Sequence, residues 1–205
     1  MAKRAIPEVN AGSMADIAFL LLIFFLVTTT IETNAGISTK LPPKVEKPDT
    51  PPVKERNLFV VIVNKNNQLL VRDQLMNIKD LRKATKEFLD NGGGVGDMAC
   101  KHCKGAKSES SSENPDQAVI SLQNDRETSY NTYIAVQNEL IAAYNELRER
   151  ERQRLFPNEV SYVEMDAEFN AAKTPKARKD ALKPKIEELQ KLYPRKLVEA
   201  SIKKN

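Results

Sequence analysis

"MADIAFLLLIFFLVTTT", residues 14–30, decides how the rest of the chain is read. Residues 17–27 are an unbroken apolar run, and one carboxylic acid, Asp16, stands at its edge. Residues 13–31 number 19, which at about 1.5 Å rise each nearly matches the roughly 30 Å hydrocarbon thickness of a bilayer. The stretch reads as a single membrane span over 13–31, after a short tail, 1–12. Lys3 and Arg4 precede it and Glu32 is the first charge after it. That asymmetry keeps the N-terminus in the cytoplasm and puts everything beyond the span in the periplasm or outside. A cleavable signal peptide, cut near Thr33-Asn34-Ala35, is the alternative. Its cleavage site is poor, and a signal sequence gains nothing from an acid beside its apolar run.

An ionised Asp inside a spanning helix costs about 2.5–3.5 kcal/mol on insertion scales. Protonation, water or a partner chain relieves that cost, so such a group is suited to taking up and releasing protons as its surroundings change. The plainer alternative has Asp16, beside Gly12 and Ser13, reaching up into the cytoplasmic interface.

The remainder is a different material. Of 205 residues, 40% are apolar and 29% charged, and the net charge of +4 is uneven. Residues 173–205 carry eleven Lys/Arg against four Asp/Glu, while the first 172 are slightly acidic. Residues 32–56 hold five prolines between Pro42 and Pro52 and few large apolar side chains. They form a semi-rigid spacer with a reach on the order of 75 Å if extended.

From Asn57 onward a folded domain is expected, over 57–205. "LFVVIV" (58–63) is a strand, "NKNN" (64–67) a turn and "QLLVR" (68–72) a second strand. Asn77 and Asp80 look like a capping pair for a helix carrying Leu81, Ala84, Thr85 and Phe88, which stops at Asn91-Gly92. "AVISL" (118–122) is a third strand. A long helix follows from Thr128 or Ser129, with a stripe of Tyr130, Tyr133, Ile134, Leu140, Ile141, Tyr144 and Leu147. Tyr130 is expected in the core. "RKLVEASI", after Pro194, is the last strand. The order implies an α+β domain in two layers, with helices on one face of a small sheet.

Two insertions are expected. Residues 92–116 are Gly- and Ser-rich and read as a mobile surface segment. They hold the only cysteines, Cys100 and Cys103, and the only histidine, His102. Three ligands crowded into four residues cannot close a tetrahedral zinc site alone, so no metal is expected. In an oxidising compartment a Cys100–Cys103 disulfide is the expected state. Residues 155–193 are cut by Pro157, Pro175 and Pro184 into short helical pieces. Their basic character suits a solvated face, or contact with an anionic polymer such as peptidoglycan.

The Asp16-Ile17 pair opening the span, Phe24-Phe25, and Leu41-Pro42 about ten residues past its end resemble the ExbD/TolR family of bacterial inner-membrane energisers. The resemblance is strongest over residues 6–43. "VISLQNDRETSYNTYIAV" (119–136) is similar to the family's second strand and following helix, with Asp125 and Tyr130 at matching positions. The resemblance implies that Asp16 is the proton-coupling residue and that ExbB-like channel subunits surround a pair of these chains. It further implies that work passes to a TonB- or Pal-type partner. Ser13, Thr28, Thr29 and Thr30 become pore-facing polar candidates, and Ile37, Leu41 and Pro42 candidates for docking the linker onto the folded domain. A homodimer is implied, no cofactor is expected, and the topology would exclude nucleic acid. No Ser/His/Asp set or carboxylate pair points to an enzyme. The anchor alone does not separate an ExbD role from a TolR role, and a membrane-tethered envelope-binding module is the reading in which Asp16 would be dispensable.

Overall fold

The computed structural model describes residues 11–28 and 53–201. The chain divides into two units, Met1–Asp49 and Thr50–Asn205. The described part of the first is one helix, α1 (Ala11–Thr28). Ile17, Phe19, Leu20, Leu21, Leu22, Phe24 and Phe25 are all exposed, so α1 is apolar around its whole circumference. Such a helix suits an apolar medium or the surfaces of other chains. Among the described residues no helix is long and apolar enough to cross a membrane. Residues 29–31 of the expected span lie outside the described residues.

The second unit runs β1 (Leu58–Val63), β2 (Leu69–Val71), β3 (Gln74–Met76), α2 (Ile78–Leu89), β4 (Val119–Asn124), α3 (Tyr130–Leu155), α4 (Tyr162–Asn170), α5 (Lys176–Leu192) and β5 (Leu197–Ser201). Its mixed sheet has the order β3-β2-β1-β4-β5. β1, β2 and β3 form an antiparallel meander, whereas β1–β4 and β4–β5 are parallel. Both parallel crossovers step the same way across the sheet, so right-handed connections put their helices on one face. Burial agrees. Phe59, Val61 and Val63 of β1 and Ile120 and Leu122 of β4 are buried, and their neighbours in sequence only partly so. They pack with Leu81, Phe88 and Leu89 of α2 and Val136, Leu140, Tyr144 and Leu147 of α3 in one core. Each such side chain contributes about 1.5–3 kcal/mol of burial. The expected two-layer α+β domain is what the structure has.

Its details depart from the sequence reading at several points. β3 is an additional short strand. It is joined to β2 by a tight turn in which Arg72 (φ 49°) and Asp73 (φ 65°) are both left-handed. Arg72 lies over the Phe59 and Phe88 rings, at 5.6 and 5.1 Å, which helps hold that conformation. Asn77 precedes α2 but its side chain makes no cap; the Asp80 N–H donates to the Asn77 carbonyl instead. Ser129 does cap α3, accepting from the Thr132 N–H. Tyr130, expected in the core, is 74% exposed, with the Tyr133 ring 6.5 Å away. It occupies the first turn of α3, where the stripe has run past the residues that would cover it.

Pro184 does not cut the C-terminal region. It lies inside α5, where it and Asp180, whose carbonyl loses its partner, are both exposed to water. Residues 155–193 therefore build a second small core of their own: Tyr162, Met165, Leu182, Ile186 and Leu189, flanked by Leu155, Phe156 and Phe169. Residues 92–116 are not a free-standing loop either. Gly93 and Gly94 donate to the Ser112 and Glu113 carbonyls, and Asn91 Nδ2 donates to the Ser108 and Ser112 carbonyls. Glu113 accepts from Asn57 Nδ2 and Lys54 Nζ, so residues 53–56, expected as linker, already belong to the fold.

Candidate functional site

α1 presents one titratable group. Asp16 is the only one between Glu8 and Glu32. It lies about 7.5 Å along the axis from Ala11 and about 18 Å from Thr28, at ~1.5 Å per residue. Its carboxyl is exposed on a helix whose next turns offer only hydrocarbon: Phe19, Leu20 and Ile23 stand three, four and seven residues on. Chemically this is a lone proton donor and acceptor set into an apolar rod. Ser13 lies within α1 and Thr28 ends it, with side chains outside what the structure describes. Thr29, Thr30, Ile37, Leu41 and Pro42 also lie outside the described residues.

The second unit has its own polar cluster, which sequence reasoning missed. Asp90, at the end of α2, takes a two-pronged interaction from Arg150 of α3: NH1 to Oδ2 at 2.6 Å and NH2 to Oδ1 at 2.8 Å. The Tyr193 hydroxyl donates to the same Oδ1 at 2.6 Å, and the Lys104 N–H at 3.2 Å. Burial pushes the Asp90 carboxyl up, but the bonds from Arg150 and Tyr193 overcome it and hold the group below the ordinary carboxylate value. Burial, and then the bond to Asp90, push the Tyr193 phenol well above its ordinary value. Arg148 is tied nearby, donating to the Tyr193 carbonyl and to the Tyr162 hydroxyl. The cluster joins α2, α3, the 92–116 segment and the end of α5. In the sequence, "RERERQR" (148–154) looks like an alternating solvated run; periodicity gave no sign that Arg148, Glu151 and Arg152 are buried.

Cys100 and Cys103 are joined by a disulfide. His102 between them contacts the Leu192 carbonyl through Nε2 at 3.1 Å and packs edge-on against Tyr193. Asp125 shapes the approach to α3, accepting from the Glu127 N–H while its own N–H donates to the Val63 carbonyl. The sheet leaves two edges, β3 and β5. On β5, Glu199 accepts from the Tyr133 hydroxyl at 2.6 Å, and burial with that bond pushes the phenol up to about 12.

In chain order, then, an acid in an apolar helix precedes a small mixed-sheet domain. The family model described as biopolymer transport protein ExbD/TolR matches residues 2–148. The chain belongs to the ExbD/TolR family. No individual curated protein gives a significant match. Membership makes the chain an energising subunit of biopolymer transport, in a family that works in complexes with ExbB/TolQ-type partners. The matched segment takes in α1, the meander, β4 and most of α3, and it ends inside α3. The second core, α5 and β5 lie beyond it, although β5 still completes the sheet against β4.

Proposed function

We propose that this ExbD/TolR-family chain is the proton-coupling subunit of an inner-membrane motor of the ExbB–ExbD type, energising TonB-dependent transport across the outer membrane. The observation that carries the reading is Asp16, the lone titratable group of an otherwise apolar helix. With the carboxylate charged, α1 favours polar surfaces of a surrounding ring of channel subunits. Protonation cancels the charge and makes apolar contacts favourable. Alternation between the two states under a proton gradient turns or shifts one component against the other. In this reading α1 crosses the inner membrane with its N-terminus cytoplasmic, and the proline-rich segment spaces the folded domain away in the periplasm. Two copies pair through a sheet edge, which adds burial that so small a core needs. The basic region around α5 meets peptidoglycan. The chain is no enzyme and needs no cofactor.

The test is complementation of a deletion strain with Asp16→Asn, which keeps shape and polarity but carries no proton. Normal accumulation in the membrane with loss of energised uptake, and an intact envelope, supports the reading. Unimpaired uptake with an intact envelope sinks it and leaves Asp16 an interfacial polar residue. Envelope leakage with normal uptake would assign the chain to a TolR-type role.

A further inference from the structure

We propose that residues 100–103 form a redox-gated site for a thiophilic metal cation, closed by the disulfide and opened by reduction, with Cys100, His102 and Cys103 as ligands. Both cysteines and the one histidine of a 205-residue chain fall there. The structure brings their ligating atoms within 4.8 Å of one another. A tetrahedral zinc or cobalt site, with metal–sulfur bonds of about 2.3 Å and metal–nitrogen bonds of about 2.0–2.1 Å, needs its ligand atoms roughly 3.5–3.8 Å apart. The side chains are therefore close to ligating spacing once the sulfurs are free to separate.

Three further features suit a metal better than a bare disulfide. His102 Nε2 lies 3.1 Å from the Leu192 carbonyl, which can only accept, so Nε2 carries a hydrogen and Nδ1 is the nitrogen left to ligate. A ligating imidazole fixed through its other nitrogen to a carbonyl is the usual outer-shell arrangement of such sites. The Cys103 N–H donates to Cys100 Sγ at 3.1 Å, and Lys101 and Lys104 flank the turn. A backbone donor thus already points at one of the two ligating sulfurs. Finally, a cleft of about 270 Å³, lined by Cys100, His102, Asn114, Lys191 and Leu192 among others, opens beside the turn and admits water as a fourth ligand. Gly92 makes room for the turn: a Cβ there would lie 2.7 Å from that of Cys103.

The opening step is thiol–disulfide exchange with a dithiol donor. A donor thiolate attacks Cys100, the more exposed of the pair, and the S–S bond breaks to release the Cys103 thiolate. The donor's second thiol then displaces Cys100. The donor leaves as a disulfide, both cysteines become thiols, and binding of a divalent cation by the two sulfurs releases two protons. The site is independent of Asp16 and of the motor reading.

The test uses the full chain in detergent, titrated with Co²⁺ before and after reduction by a phosphine that is then removed without air. The expected result is one equivalent of cobalt, with sulfur-to-cobalt charge-transfer absorption, in the reduced chain alone, displaced by Zn²⁺. Cys103→Ser should abolish the absorption, and His102→Ala should weaken binding by about 10–100-fold or more. A reduced chain that shows no such absorption overturns the proposal, whether or not it stays folded. So does a His102→Ala chain that binds as tightly as the wild type, since the thiols alone would then account for the signal.

Discussion

Asp90→Ala should destabilise the folded domain by about 3–4 kcal/mol, and the loss should depend on pH. The substitution takes the main ion-pair partner from the Arg150 guanidinium, which keeps Glu151, the His102 carbonyl and the Tyr193 hydroxyl. It also takes the acceptor from the Tyr193 hydroxyl and the Lys104 N–H. Breaking a fully buried ion pair costs about 3–5 kcal/mol. Here Arg150 keeps 28% of its side-chain surface exposed and Asp90 10%, so water softens the loss; about 2–3 kcal/mol is the fair share. The buried Tyr193 hydroxyl, left without an acceptor, adds about 1 kcal/mol. For a domain near 150 residues this lowers Tm by about 10 °C. Thermal unfolding of the full chain in detergent, followed by circular dichroism, reads it.

The sign with pH follows from the direction of the Asp90 shift. Its carboxyl is held below the ordinary value in the folded chain. The stabilisation is therefore fully present above the unfolded value of about 3.9, and is lost as pH falls through the lower folded value. The gap between wild type and Asp90→Ala should be wide at pH 7 and close below about pH 4. A double-mutant cycle with Arg150→Ala should return a coupling above about 1 kcal/mol. A coupling near zero, or a gap unchanged at pH 3, would refute the clamp and leave only lost packing.

Leu182→Ala, in the second core, should cost about 2–5 kcal/mol. Because that core is separate from the sheet's, amide exchange should rise in α4 and α5 more than in β1 and β4; equal rises in both would show a single cooperative unit. Tyr133→Phe removes the bond to Glu199 on the edge strand and should cost about 1 kcal/mol. Alkaline absorbance titration of that variant should lose one tyrosine from the step near pH 12, and an unchanged step would place the Tyr133 phenol in water.

How much of this was readable in advance depends on whether a feature is local. β1 was legible to the residue, because "LFVVIV" is bounded by turn formers and rich in β-branched side chains. Its continuous apolar run reflects a sheet whose second face still half-buries Leu58, Val60 and Ile62, so strict alternation never shows. α2 and α3 followed from their apolar spacing. The misses are all matters of what lies opposite. A helical period names a face, not its neighbour, so it put Tyr130 inside, whereas Tyr133 one turn on packs against the core and Tyr130 itself is exposed. Pro184 reads as a breaker because propensity assumes a donor is needed there; on a water-facing turn the orphaned carbonyl is solvated and α5 continues. The Asp90 clamp spans 60 residues to Arg150 and 103 to Tyr193. No local rule reaches that far, and the alternating charges of α3 look the same whether they face water or a partner.

Asp16 is the opposite case. Its signal is a contradiction within one short stretch, a costly group where hydrocarbon is expected, and needs no neighbour to be noticed. Structure adds its depth along α1 and the absence of any second titratable group on that helix. That pairing of a local anomaly with an otherwise uniform surface is why Asp16, the residue on which the proposed function rests, was easier to find than the structural clamps. Clamps look ordinary in sequence because they are satisfied, whereas a proton carrier must be left unsatisfied in one of its two states.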